Sequence, residues 1–166
     1  MADHISNPRT DPEGLNDLAP LWAELHHHHR EAADYPALVE DLDSSWASRL
    51  RWYRHLLTRG ASYVTASDDE GRLLGYAMVA FEEGPDDTFE VTGGIAEVVT
   101  LVVTGSRRSH GVGRALLAAA ERLATGRGFD TVKVAVMSGN VRAQDFYEAC
   151  GYLAGEQVLY RRLSDR

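Results

Sequence analysis

The stretch from Glu97 to Arg114 limits what this chain can become more than any other. It opens with Glu97-Val98-Val99-Thr100-Leu101-Val102-Val103, a β-branched run that suits a buried strand. Thr104-Gly105-Ser106-Arg107-Arg108-Ser109-His110 follows, then Gly111-Val112-Gly113-Arg114 and an Ala- and Leu-rich helix. Gly111 and Gly113 lack a Cβ, so the backbone there turns sharply and admits a close approach. A helix start exposes unpaired N–H groups and the positive end of the helix dipole. A tight turn at that point suits an anion such as a pyrophosphate. Arg107, Arg108 and Arg114 add positive charge around it.

The rest of the chain reads as short elements. His4-Ile5-Ser6 fits a brief first strand. Residues 13–33 fit a helix, with Leu15, Leu18, Trp22, Leu25 and His29 on one face. Tyr35-Pro36 favours a break. Asp43-Ser44-Ser45 offers caps for a helix over about 44–59, whose stripe is Trp46, Leu50, Tyr53 and Leu57 and whose stop is Gly60. Ser62–Ala66 and Leu73–Phe81 fit a hairpin around Asp68-Asp69-Glu70-Gly71. Residues 82–88 read as an acidic loop, and Phe89–Val91 as the start of a strand interrupted at Gly93-Gly94. A helix is expected over 111–126, with Val112, Leu116, Ala119 and Leu123 inward. A strand over Thr131–Met137, a helix over 140–149 and a last strand at Val158-Leu159-Tyr160 complete the order.

A chain of 166 residues can bury one sizeable core, so 1–166 is read as a single domain. Apolar residues at 44% and charged residues at 25% fit a soluble globular class. A net charge of -8 argues against nucleic acid or an anionic membrane as the main partner. Cys150 is the one cysteine, so no internal disulfide and no thiol metal cluster is available. The N-terminus is polar, without an apolar leader, and no apolar stretch nears the length of a membrane span. The expectation is a cytoplasmic protein.

Two blocks identify a family resemblance. Arg108-Ser109-His110-Gly111-Val112-Gly113 matches Arg/Gln-x-x-Gly-x-Gly/Ala. Asn140-Val-Arg-Ala143-Gln-Asp-Phe146-Tyr147-Glu-Ala-Cys-Gly151-Tyr152 matches Asn-x-x-Ala-x-x-Phe-Tyr followed by Gly-Phe/Tyr. In this order they resemble the GCN5-related N-acetyltransferase (GNAT) family, specifically over about residues 61 to 160 and loosely over the first 60. The resemblance implies an α/β GNAT fold: a mixed central sheet, splayed between the fourth and fifth strands and flanked by about four helices. Residues 1–60 would then shape the acceptor side and 61–160 the acetyl-CoA-binding core. Backbone N–H groups of Arg108, Ser109, His110, Gly111, Val112, Gly113 and Arg114 would hold the CoA pyrophosphate. The edge of Leu101, Val102 and Val103 would hold the acetyl carbonyl and the pantetheine arm. The family usually has a proline where this chain has Gly105, a change expected to loosen the turn without removing the anion site.

Acyl transfer to an amine needs positioned reactants, a proton acceptor and a stabilised leaving thiolate. By resemblance Tyr147 is the acid for the CoA sulfur; the plainer reading is a core aromatic, since Ala143, Phe146, Tyr147 and Cys150 share helical spacing. Asn140 would contact pantetheine, cap its helix, or both. Glu97 is the candidate base. Deprotonating an alkyl amine of pKa ~10.4 at pH 7 costs on the order of 4–5 kcal/mol, and a carboxylate, directly or through water, lowers that cost. Glu97 lies 11 residues before Arg108 in an Ala96-Glu97-Val98 context. The histone-acetylating branch of the family has its catalytic glutamate at that spacing; other branches have no base there. The plainer alternative is a solvated or salt-bridged strand-end residue. Of His26 to His29, His26 and His29 share a face and could bind a ligand or metal, but packing of one or two near Trp22 is the plainer reading. Cys150 reads as packing, and the acidic loop as a solvated face.

The sequence therefore points to N-acetyl transfer from acetyl-CoA to a primary amine of a small molecule or peptide, directly in a ternary complex. A non-catalytic acyl-CoA sensor and an enzyme for longer acyl-CoA are the alternatives. Aminoglycoside, polyamine, amino acid and protein N-terminus all remain open as acceptor. The three tryptophans leave room for an apolar surface in a homodimer.

Overall fold

The computed structural model describes residues 3–163. Among them, five strands form one sheet in chain order: β1 (His4–Ile5), β2 (Ser62–Ser67), β3 (Leu73–Glu83), β4 (Gly94–Val103) and β5 (Thr131–Val134). The helices are α1 (Ala19–Ala32), α2 (Leu42–Thr58), α3 (Val112–Gly126) and α4 (Val141–Ala149). Strands β1 to β4 pair antiparallel. Strand β5 pairs with β4 in parallel, a step that needs a crossover, here α3.

Helices cover both faces of the sheet. On one face Leu15, Leu18, Leu21 and Tyr53 bury against Tyr63, Tyr76, Met78 and Val102, with Trp46, Leu50 and Leu57 packed around them. On the other, Leu117, Ala120 and Tyr147 bury against Val79, Ala96 and Val98, while Val112 and Leu116 bury against Val64 and Ala77. Burying each large aliphatic side chain contributes about 1.5–3 kcal/mol.

The first helical region begins as a 3₁₀ turn, Glu13–Leu18, and becomes α-helical at Ala19. Pro20 sits in the first turn of α1, where its missing N–H costs nothing. The cap of α2 is Asp41 rather than Asp43-Ser44-Ser45: its Oδ2 accepts the Ser44 N–H at 2.7 Å. Ser45 is instead inside the helix, where its hydroxyl accepts the Trp22 Nε1–H at 3.1 Å and ties α1 to α2.

Four expectations fail. Glu82 and Glu83 belong to β3, and Phe89–Val91 is not a strand. Asp86 Oδ1 accepts the N–H groups of Thr88 and Phe89, and this local turn takes the backbone away from strand geometry. Strand β5 ends at Val134 rather than Met137, opposite Val98, the last residue of β4 before its register against β3 shifts. Val158-Leu159-Tyr160 is not a strand either; these residues are 67%, 84% and 72% exposed, and no described strand pairs with them.

Candidate functional site

Strand β4 carries the site. Its Ile95 to Val98 pair with Thr131 to Val134, and pairing with β5 stops there. Pairing with β3 continues to Val103. Val98 lies opposite Val79 and Thr100 opposite Met78, so Val99 is an extra residue, a β-bulge. A bulge bends its strand. From Val99 to Val103, the edge of β4 toward β5 has no strand partner among the described residues. Such an edge offers main-chain donors and acceptors to an extended ligand. A buried hydroxyl chain anchors the bulge: Tyr53 donates to Thr100 Oγ1 at 2.5 Å and lies 3.1 Å from the Tyr76 hydroxyl. Burial raises both tyrosine pKa values.

Beyond β4 the chain makes a 3₁₀ turn, Gly105–Arg107, and reaches α3. Gly111 is the N-cap at φ 89°, a left-handed conformation that glycine adopts at little cost. Among the described residues no side chain caps α3, and Ala115 N–H to the Gly111 carbonyl is the first bond of its ladder. The N–H groups of Val112 to Arg114 precede that bond and point out of the helix start. Around them, Ser109 holds φ 65°, and His110 Nδ1 lies 2.7 Å from the Arg108 carbonyl. Arg108 folds back so that its Nε donates to the Val103 carbonyl at 3.3 Å, on the strand itself. Two residues that the sequence did not flag also reach this turn. Arg142 of α4 donates to Ser109 Oγ at 3.0 Å. Glu24 of α1 accepts the Thr104 hydroxyl on Oε1 and the Gly105 N–H on Oε2, both at 2.7 Å. The turn is therefore held, not loosened, at Gly105.

Helix α4 closes on the same place. Asn140 caps it, with Oδ1 accepting the Ala143 N–H at 3.1 Å. A Cβ built on Gly113 would lie 3.6 Å from both Phe146 and Val103, so these side chains meet over the start of α3. Tyr147 is buried beside Phe146 and Tyr152, at ring separations of 5.1 and 5.5 Å. Its hydroxyl bonds to no described residue. Burial, with a smaller contribution from Cys150, pushes its pKa up to about 12, so it stays protonated at neutral pH.

Glu97 is on the opposite face of β4 from Tyr147. Its side chain is 35% exposed, and its Oε2 lies 3.6 Å from Lys133 Nζ. It lines an open recess of about 260 Å³ together with Leu56, Arg59, Ala80 and Glu82. The histidines separate: His29 packs edge-on against Trp22, His26 bonds to the Val39 carbonyl, and His27 and His28 sit by Glu31. No group of three or more His, Cys, Asp or Glu side chains among the described residues is placed to hold a metal. No described helix is long and apolar enough to cross a membrane.

Residues 22–152 match the model of the acetyltransferase (GNAT) family. The chain belongs to that family. The GNAT match takes in α1 and α2 as well as the core, further toward the N-terminus than the two sequence blocks reach. Over 103 residues the chain is 37% identical to a mycothiol acetyltransferase of Clavibacter sepedonicus. That match covers 61% of this chain and 31% of the relative, so the chain spans about a third of the length of the curated relatives it matches. Among solved structures, a GCN5-related N-acetyltransferase from Ralstonia eutropha JMP134 superposes with a TM-score of 0.74 at 17% identity, covering 97% of this chain and 99% of that one. AAC(6')-Iy, in complex with the bisubstrate analogue CoA-S-monomethyl-acetylneamine, superposes with a TM-score of 0.71 at 18% identity, covering 98% of both chains. At these identities the likeness is one of fold, and the GNAT fold is the mixed, splayed sheet described above.

Proposed function

We propose that this GNAT chain transfers the acetyl group of acetyl-CoA to a primary amine of a small molecule or peptide, directly and without an acyl-enzyme. The observation that carries the reading is the unpaired edge of β4 from Val99 to Val103, running into the uncapped start of α3. Acetyl-CoA supplies the thioester carbonyl that an amine attacks. Leu101, Val102 and Val103 offer their backbone to the acetyl group and the pantetheine arm. The N–H groups of Arg108 to Arg114 receive the pyrophosphate, with the helix dipole behind them. Asn140, while capping α4, has its amide N–H₂ left for pantetheine.

Proton transfers divide between the faces of β4. Tyr147, protonated at neutral pH, donates to the sulfur as the C–S bond breaks. Glu97 accepts the proton lost by the attacking amine, directly or through water. A carboxylate has about four lone-pair sites, so its pairing with Lys133 leaves acceptor capacity. The recess beside Glu97, walled by the end of α2, supports an acceptor approaching from that face. The names of the relatives, mycothiol and aminoglycoside acetyltransferases, support a small-molecule acceptor.

The test is release of free CoA from acetyl-CoA across a panel of amines, with Tyr147→Phe alongside. We expect release that depends on one amine class. Tyr147→Phe is expected to lower kcat on the order of 10²-fold with little change in acetyl-CoA affinity. Unchanged turnover in that variant removes Tyr147 from the mechanism. Acetyl-CoA binding without release across the panel favours a sensor.

A further inference from the structure

Helix α1 sends one carboxylate into the turn between β4 and α3. Glu24 is half-buried, and its two oxygens take separate donors, the Thr104 hydroxyl and the Gly105 N–H, each at 2.7 Å. Bonds of this length lie at the short end of the hydrogen-bond range and fix both oxygens of the side chain. They bridge 80 and 81 residues of sequence. The Gly105 N–H is a donor that the family's usual proline would not possess. Here a side chain from another element takes over what a proline ring does locally: it fixes the first bend after the strand.

We propose that Glu24 is a positioning residue for the cofactor, holding the turn so that the N–H groups ahead of α3 face a bound pyrophosphate. This rests on the reading of that turn as the acetyl-CoA site. Electrostatics gives the idea a sign. A carboxylate beside an anion site repels phosphate. If Glu24 acted only through its charge, removing it would tighten acetyl-CoA binding. If it acts by holding the turn, removing it weakens binding.

Gly105→Pro exchanges one of the two bonds for a local ring. Thr104 has φ -53° and ψ 144°, a conformation that the residue before proline adopts readily, and Gly105 has no positive φ. The backbone thus accepts proline, while the N–H is lost and the ring is pressed against the carboxylate. Glu24→Ala relieves that pressure and at the same time removes the acceptor.

The experiment is calorimetric titration of the full chain with acetyl-CoA, for wild type, Glu24→Ala, Gly105→Pro and the double variant, with Tm measured for each. We expect Kd to rise about tenfold in Glu24→Ala, and the double variant to recover most of that loss because the ring then fixes the bend by itself. A residue important only for stability would lower Tm and leave Kd unchanged at a temperature well below it. Equal or tighter binding by folded Glu24→Ala overturns the proposal, as does a folded double variant that binds no better than Glu24→Ala. Failure of wild type to bind acetyl-CoA overturns the functional reading beneath it as well. Should Glu24→Ala not fold, Glu24→Leu and Thr104→Val each break the tie, the first at both bonds and the second at one. An unchanged Kd in both is then the refuting result.

Discussion

His29 turns a packing choice into a pH dependence. It lies against Trp22, with Arg49 near it, and burial first, then the charges of Arg49, His28 and His26, lower its pKa from 6.5 to about 4. The imidazole is therefore neutral in the fold. The unfolded chain takes up a proton below pH 6.5 that the folded chain refuses until about pH 4. Stability contributed at this position is complete above pH 6.5 and is lost as pH falls through that window, by up to about 3 kcal/mol. Urea midpoints at pH 7 and pH 5 read the loss, and His29→Phe, which keeps a ring against Trp22, is expected to flatten it. An equal slope in the variant assigns the acid sensitivity to other groups. Helical spacing alone places His29 on the face of Trp22. The other contacts of this cluster, such as that of His26 with the Val39 carbonyl, depend on the loop between α1 and α2 and have no local signature.

Between elements, the link that matters for the site is α2 to the bulge of β4. Tyr53 is fully buried, and its hydroxyl serves Thr100 while lying beside that of Tyr76. Tyr53→Phe keeps the ring and strands both partner hydroxyls in the core. Leaving buried polar groups unsatisfied costs about 1–3 kcal/mol each. A Tm drop of several degrees is expected for a chain of this size. A smaller change would mean that the bulge is held by β3 alone. The stripe that puts Tyr53 inward was legible as i, i+4, i+7, i+11 spacing, and so were β4, α3 and α4, whose patterns are local. Glu24 was not. Nothing within a few residues of it distinguishes a surface glutamate from one that bonds Thr104 and Gly105 across the fold. Its faint trace was the missing proline. Val158-Leu159-Tyr160 misled in the opposite way: β-branched and aromatic character predicts a strand only where an edge is within reach.

At the scale of the molecule, α1 joins the two turns that flank the gap between β4 and β5. Its middle holds the β4–α3 turn through Glu24. Its last residue and the chain just past it hold the β5–α4 turn: the Ala32 carbonyl lies where a Cβ on Gly139 would need to be, and Asp34 Oδ2, two residues beyond the helix, accepts the Ser138 hydroxyl at 2.6 Å. A ligand that enters the gap and orders both turns must therefore also restrain α1. Saturation at about 100 times Kd stabilises a protein by about 2.7 kcal/mol, but that figure does not say where. Hydrogen exchange does. Acetyl-CoA is expected to slow exchange in residues 19–32 as well as at the start of α3, and Gly139→Val, which wedges the end of α1 off its turn, is expected to confine the protection to α3. Protection limited to α3 in wild type would mean that the two halves respond independently. Protection of α1 in wild type, lost in the variant, would make α1 the element through which an occupied cofactor site prepares the acceptor side.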